Sequence, residues 1–115
     1  MNKKLREFIK KEHKRLMRIY YSKADEQKRS LARTVKIAEE LGELSSEIMA
    51  LYNDQRKDKI KRNIKEKIAE ECADVIITTL LLAENLNINV SRAIDKKIKI
   101  IEKRWEKILR GKIKK

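Results

Sequence analysis

The chain has 115 residues, with 31 Lys and Arg against 18 Asp and Glu, two Gly and no Pro. That is one domain's length and a composition suited to long helices. Scarce Gly and Pro exclude turn-rich β architectures, the single Cys72 excludes an internal disulfide, and the longest apolar run, Val75–Ala83, is too short to span a bilayer. The net charge of +13 points to an anionic partner: nucleic acid, a membrane surface or a phosphorylated small molecule. Solvated basic faces explain it equally well, so charge alone selects no function. The opening MNKKLREFIKKEHKR is charged throughout and does not resemble a signal peptide. With one unpaired Cys, a reducing, cytoplasmic setting is expected.

In chain order, a first helix is predicted over 3–21, with Leu5, Phe8, Ile9, Leu16, Ile19 and Tyr20 on one stripe. SKADEQKRS then breaks the pattern and offers caps at Ser22 or Asp25. A second helix follows over about 26–52, striped by Leu31, Val35, Ile37, Leu41, Leu44, Ile48 and Leu51. Polar Asn53 to Lys61 reads as a loop. A third helix spans about 62–86, with Ile64, Ile68, Cys72, Val75, Thr79, Leu82 and Leu86 on one side. NINVS supplies a turn and a cap at Asn89 or Ser91. A fourth helix covers about 90–110, with Ile94, Ile98, Ile101, Trp105 and Ile108 spaced by three and four. The domain is expected over 1–110, followed by a basic tail, 111–115. Residues 92–115 hold eleven Lys and Arg against three acids, a net +8 of the total. Four helices with short connections imply an all-α antiparallel bundle.

The chain writes nearly the same acidic octapeptide twice: IAEELGEL at 37–44 and IAEECADV at 68–75. At 100° per residue, Glu40 falls about 60° and Glu43 about 120° from the stripe through Ile37. Glu71 and Asp74 fall the same way from Ile68. Each helix therefore carries an acid pair at i, i+3 flanking its buried face, where two neighbours can grip one ion. Converging carboxylates repel, and a hard divalent cation with oxygen ligands, Mg²⁺ or Mn²⁺, removes the conflict. The competing reading is a set of surface ion pairs with Lys. It suits one such string in a Lys-rich helix better than it suits two in matched register. Gly42 in mid-helix costs roughly 0.5–1 kcal/mol against Ala, and close approach of a backbone or ligand would explain it.

The string Glu39-Glu40-x-x-Glu43, followed after 27 residues by Glu71-x-x-Asp74, resembles the EExxE…ExxD pattern of MazG-like all-α nucleoside triphosphate pyrophosphohydrolases. KIAEELGELSSEI is similar to the family's first metal helix and IAEECADVIITTLLLAENLNI to its second, the resemblance covering about 30–105. It implies a four- to five-helix fold assembling as a homodimer or homotetramer. It also implies Mg²⁺-dependent cleavage of a (d)NTP to (d)NMP and pyrophosphate. By the same resemblance the metal ligands are Glu40, Glu43, Glu71 and Asp74. Glu39 or Glu43 would activate water, and Lys97 and Arg104 would face the phosphates. Ile101 stands where the family tends to carry Asn, a departure that removes one polar contact.

The chief rival is a basic helical module gripping nucleic acid through its last helix and tail, a reading that leaves the repeated octapeptide unexplained. An inactive structural or regulatory domain of the same type is the third. Of the remaining residues, His13 reads as solvated and Cys72 as a small buried hydrophobe. Trp105 reads as core or subunit interface, with base stacking second, and any of Tyr20, Tyr21 and Tyr52 could meet a base.

Overall fold

The computed structural model describes residues 1–53 and 58–113, with the side chains of all of these except 58–61 and 113. Among the described residues all regular structure is helical: α1 Lys3–Ile19, α2 Glu26–Asn53, α3 Asp58–Asn85 and α4 Val90–Ile113. The loop expected over Asn53 to Lys61 is shorter than read, because α2 takes in Asn53 and α3 starts at Asp58. Its centre, 54–57, lies outside the described residues. α4 continues through Gly111 rather than stopping before it.

Side-chain caps fix the starts. Asp25 Oδ1 accepts from the Lys28 N–H at 2.8 Å, and Asn89 Oδ1 from the Arg92 N–H at 3.1 Å. Asn2 does the same for α1, accepting from the Leu5 N–H at 2.8 Å. Each satisfies one amide that the first helical turn leaves without a carbonyl.

α2 and α3 run antiparallel, and their cross-contacts step down one helix as they climb the other. Arg29 Nε donates to Asn85 Oδ1, whose amide donates to Ser30 Oγ. Arg33 reaches the Leu81 carbonyl. Near the far end, Lys67 Nζ lies 3.6 Å from Glu47 Oε1. α1 packs on the C-terminal half of α3, where Ile9, Leu80 and Leu81 form the buried core, supported by Leu5, Leu16, Ile77 and Val90.

The buried faces are rotated from the predicted stripes. On α2 the side chains turned inward are Arg33, Ile37, Glu40, Leu44, Glu47 and Leu51, while Leu31, Val35, Leu41 and Ile48 are exposed. On the N-terminal half of α3 they are Ile64, Ile68, Glu71, Val75 and Thr78, and Cys72 and Thr79 are exposed. Both faces turn by roughly 40° toward the acids. Cys72 is therefore not the buried hydrophobe its spacing implied.

α3 closes with a left-handed residue, Asn87 at φ 56°. The Ile88 N–H donates to the Ala83 carbonyl at 2.9 Å and the Asn87 N–H to the Glu84 carbonyl at 3.1 Å, the paired bonds of a Schellman ending. The chain then turns through 112° into α4. Three helices pack together and the fourth projects, so a closed four-helix bundle does not form within one chain. Among the described side chains of α4, only Val90 at its start joins the core. Beyond it Ile94, Ile98, Ile101, Trp105 and Ile108 are exposed, which removes core packing as an account of Trp105. The accessible surface is 9870 Å², against roughly 6,600 Å² for a compact folded monomer of this mass. No single helix among the described residues is long and apolar enough to cross a membrane.

Because Asn87 holds a conformation that costs a residue with Cβ roughly 1–2 kcal/mol, Asn87→Gly should keep or raise the urea midpoint. Asn87→Ala should lower it by the equivalent of about 1 kcal/mol.

Candidate metal centre

The acid octapeptides converge where α2 crosses α3. The 40° rotation brings Glu40 and Glu71 from the flank of each helix into the interface. Glu40 is 7% exposed, Glu71 half-buried and Glu43 exposed. One carboxylate oxygen from each of the three can be chosen so that all lie within 4.8 Å of one another. Oε2 of Glu40 and Oε2 of Glu71 are buried and have no hydrogen-bond partner.

The electrostatics follow from that geometry. Burial raises the Glu71 pKa above the ordinary carboxylate range. The charge of Glu43 and a hydrogen bond with it add to the rise, followed by the charges of Asp74 and Glu40. Lys36 supplies part of the counter-charge. Its Nζ lies 3.2 Å from Glu40 Oε1 and 3.5 Å from Glu39 Oε2, and the hydrogen bond to Glu40 raises its own pKa. Ion pairing with Lys thus accounts for Glu39 and one oxygen of Glu40. It leaves the facing oxygens of Glu40 and Glu71 unpaired, and two orphaned anionic acceptors beside a third carboxylate fit a hard divalent cation.

Asp74 is exposed and not part of the three-oxygen group, but its charge reaches Glu71. It lines, with Glu39 and Glu40, a cleft of about 400 Å³ between α1, α2 and α3. Lys97 and Arg104 are exposed on α4 and line no wall of that cleft. An added Cβ at Gly42 would meet nothing within 4 Å, so none of the described residues requires that glycine.

Two residues gain weight that spacing did not give them. Arg33, only 4% exposed, lines the same cleft. Its Nη1 lies 2.9 Å from His13 Nδ1 and donates to the Leu81 carbonyl, while Nε and Nη2 have no partner. Since Arg can only donate, Nδ1 of His13 accepts, and the proton of the neutral ring sits on Nε2. Burial, with the Arg33 charge second, lowers the His13 pKa. His13 is thus an acceptor that fixes Arg33 rather than a solvated residue. The signal was an Arg at i−7 from Glu40, on the same helical face, which the apolar pattern alone passes over.

A model of the MazG-like family matches residues 31–115, beginning after α1 and containing both acid octapeptides. No curated protein and no solved structure matched the chain.

A carboxylate whose pKa rises on folding weakens the fold as pH climbs from the ordinary carboxylate range through the raised value. At neutral pH without metal, Glu71→Gln should therefore raise the melting temperature. Mn²⁺ or Mg²⁺ should raise that of the unmodified protein, and the variant should lose most of this metal-dependent shift.

Proposed function

This chain belongs to the MazG-like family, and we propose from that premise that it is a divalent-metal-dependent nucleoside triphosphate pyrophosphohydrolase, releasing a monophosphate and pyrophosphate. The observation that carries the reading is the convergence of Glu40, Glu43 and Glu71 with two buried, unpartnered oxygens. These three would hold Mg²⁺ or Mn²⁺, with Asp74 completing the set from the next turn of α3. A bound cation of this class neutralises polyphosphate charge and acidifies water at neutral pH.

The chain's own groups supply the rest of the chemistry. Glu40 and Glu71 come from different helices, so the α2–α3 interface fixes their separation before any ligand arrives. Glu39 lies at the cleft but outside the three-carboxylate group, which leaves it free to take a proton from an attacking water; Glu43 is the alternative base. Lys36, shared between Glu39 and Glu40, holds both side chains toward the cleft. Apolar Leu16, Ile77 and Leu81 also line the cleft, giving it a non-polar part beside the acids. Contact of Lys97 and Arg104 with phosphate rests on the resemblance and on an assembly in which α4 meets the cleft.

Self-association is part of the same proposal. The exposed stripe Ile94, Ile98, Ile101, Trp105 and Ile108, with Leu31 and Val35 on the outer face of α2, offers apolar faces for a second copy to cover. The excess surface over a compact monomer is of the size obligate homodimers bury. A homodimer or homotetramer is the form proposed, and the clustered basic residues of α4 keep a nucleic-acid role as the second reading.

A panel of ribo- and deoxyribonucleoside triphosphates with Mg²⁺, with products identified, should show pyrophosphate rather than phosphate release. Glu40→Gln and Asp74→Asn, folded by circular dichroism, should lower kcat/KM by roughly a hundredfold or more. Salt-sensitive nucleic-acid binding with no triphosphate cleavage would decide for the second reading. Trp105→Asp, measured by light scattering after size exclusion, should shift the protein toward monomer.

A further inference from the structure

The cleft beside the acids holds a donor pair that neither the fold nor metal binding uses. Arg33 is nearly fully buried, and Nη1 already ties α2 to His13 of α1 and to the Leu81 carbonyl of α3. The Tyr21 ring covers the guanidinium, 5.6 Å from centroid to Cζ. What remains is the side edge, Nε–H and one Nη2–H, two parallel donors that are buried and unpartnered. Among the described residues no carboxylate pairs with Arg33. A buried donor left unmade carries its full desolvation cost, so this edge is poised for an acceptor pair delivered from outside the chain.

The cleft decides what kind of acceptor pair. Its lining includes Glu12, Glu39, Glu40 and Asp74 against only Arg33 and Lys36. That balance repels a phosphate not already sheathed by metal, whereas a neutral, flat group is unopposed. Leu16, Ile77 and Leu81 offer apolar walls, and the volume of about 400 Å³ is in the range of small-ligand sites. Arg33 stands two turns from Glu40 on one face of α2, about 10 Å along the axis, which leaves room for a sugar between a base at Arg33 and phosphates at the acids.

The geometry points to Arg33 as a base-reading residue: its Nε/Nη2 edge clamps a nucleobase that presents two adjacent acceptors. Guanine does so with O6 and N7, and cytosine with O2 and N3. Adenine sets a donor beside N7, and uracil and thymine interpose N3–H between their carbonyls, so each meets Arg33 with at most one acceptor. His13 acts as a positioning residue: by holding Nη1 at 2.9 Å it fixes the plane of the guanidinium and so the direction of its free edge. This inference rests on the nucleotide reading of the site and adds selectivity to it.

Monophosphates test it without turnover. Calorimetric titration of the intact protein, with Mg²⁺, should give dGMP or dCMP a Kd roughly tenfold or more below those of dAMP and dTMP. If dGMP is preferred, 7-deaza-dGMP, which lacks the N7 acceptor, should bind as weakly as dAMP. Arg33→Lys, which keeps the charge but loses the fork, should bind all four bases alike, and His13→Ala should narrow the preference. Equal affinities across bases in the unmodified protein, no nucleotide binding at all, or, where dGMP is preferred, 7-deaza-dGMP binding as well as dGMP would each overturn the clamp. The comparisons on unmodified protein do not depend on the variants folding. Triphosphate cleavage, followed separately, decides the hydrolase reading: hydrolysis without base preference removes the clamp alone, and base preference without hydrolysis removes the hydrolase alone.

Discussion

Two carboxylate oxygens, one on each of two crossing helices, face inward with no donor to meet them. A helix pair gains nothing from such an arrangement by itself, since buried anionic acceptors cost free energy and their mutual repulsion raises the Glu71 pKa. Cohesion lies farther along α3, where Ile9, Leu80 and Leu81 join it to α1 and Arg29, Ser30 and Arg33 of α2 bond to Asn85 and the Leu81 carbonyl. The same division explains the repeated octapeptide. An antiparallel pair brings one acidic turn from each helix to a single crossing point only if both carry it in matching register.

The buried charges of α2 form a second pattern. Arg33 and Glu40 are both nearly fully buried on one helical face, yet they do not neutralise one another. Seven residues of helix hold them about 10 Å apart, beyond the reach of a direct pair. Lys36 lies between and is committed to Glu40 and Glu39. The helix thus acts as a spacer that keeps one unsatisfied cationic edge and one unsatisfied anionic edge along the same cleft. A ligand with a metal-seeking end and a neutral hydrogen-bonding end matches that polarity, and a uniformly charged one does not.

Much of this was legible in the sequence. The four helices, the caps at Asp25 and Asn89, and the meeting of Glu40, Glu43 and Glu71 follow from period, capping chemistry and repeat. The 40° rotation of the buried faces did not follow, because a stripe of Leu and Ile marks every apolar face a helix has. On α2, Leu31 and Val35 belong to an outer face and Ile37 and Leu44 to the inner one. Arg33 escaped notice because burial of an arginine depends on partners from two other helices, His13 and the Leu81 carbonyl. The 112° turn into α4 passes through the left-handed residue Asn87, and the apolar pattern on either side carries no signal for its direction. Asp74 shows the limit of spacing arguments: it matches Glu43 in register, but the crossing leaves it outside the three-oxygen group.

The division of labour between helices has an engineering meaning. The family match begins at residue 31, so α1 lies outside it, yet α1 supplies Ile9 to the core and His13 to Arg33. The acid cluster belongs wholly to α2 and α3. Changes in the amino-terminal segment can therefore reset the Arg33 guanidinium without altering any of the three clustered carboxylates, so the two features are separable by where in the chain a substitution falls.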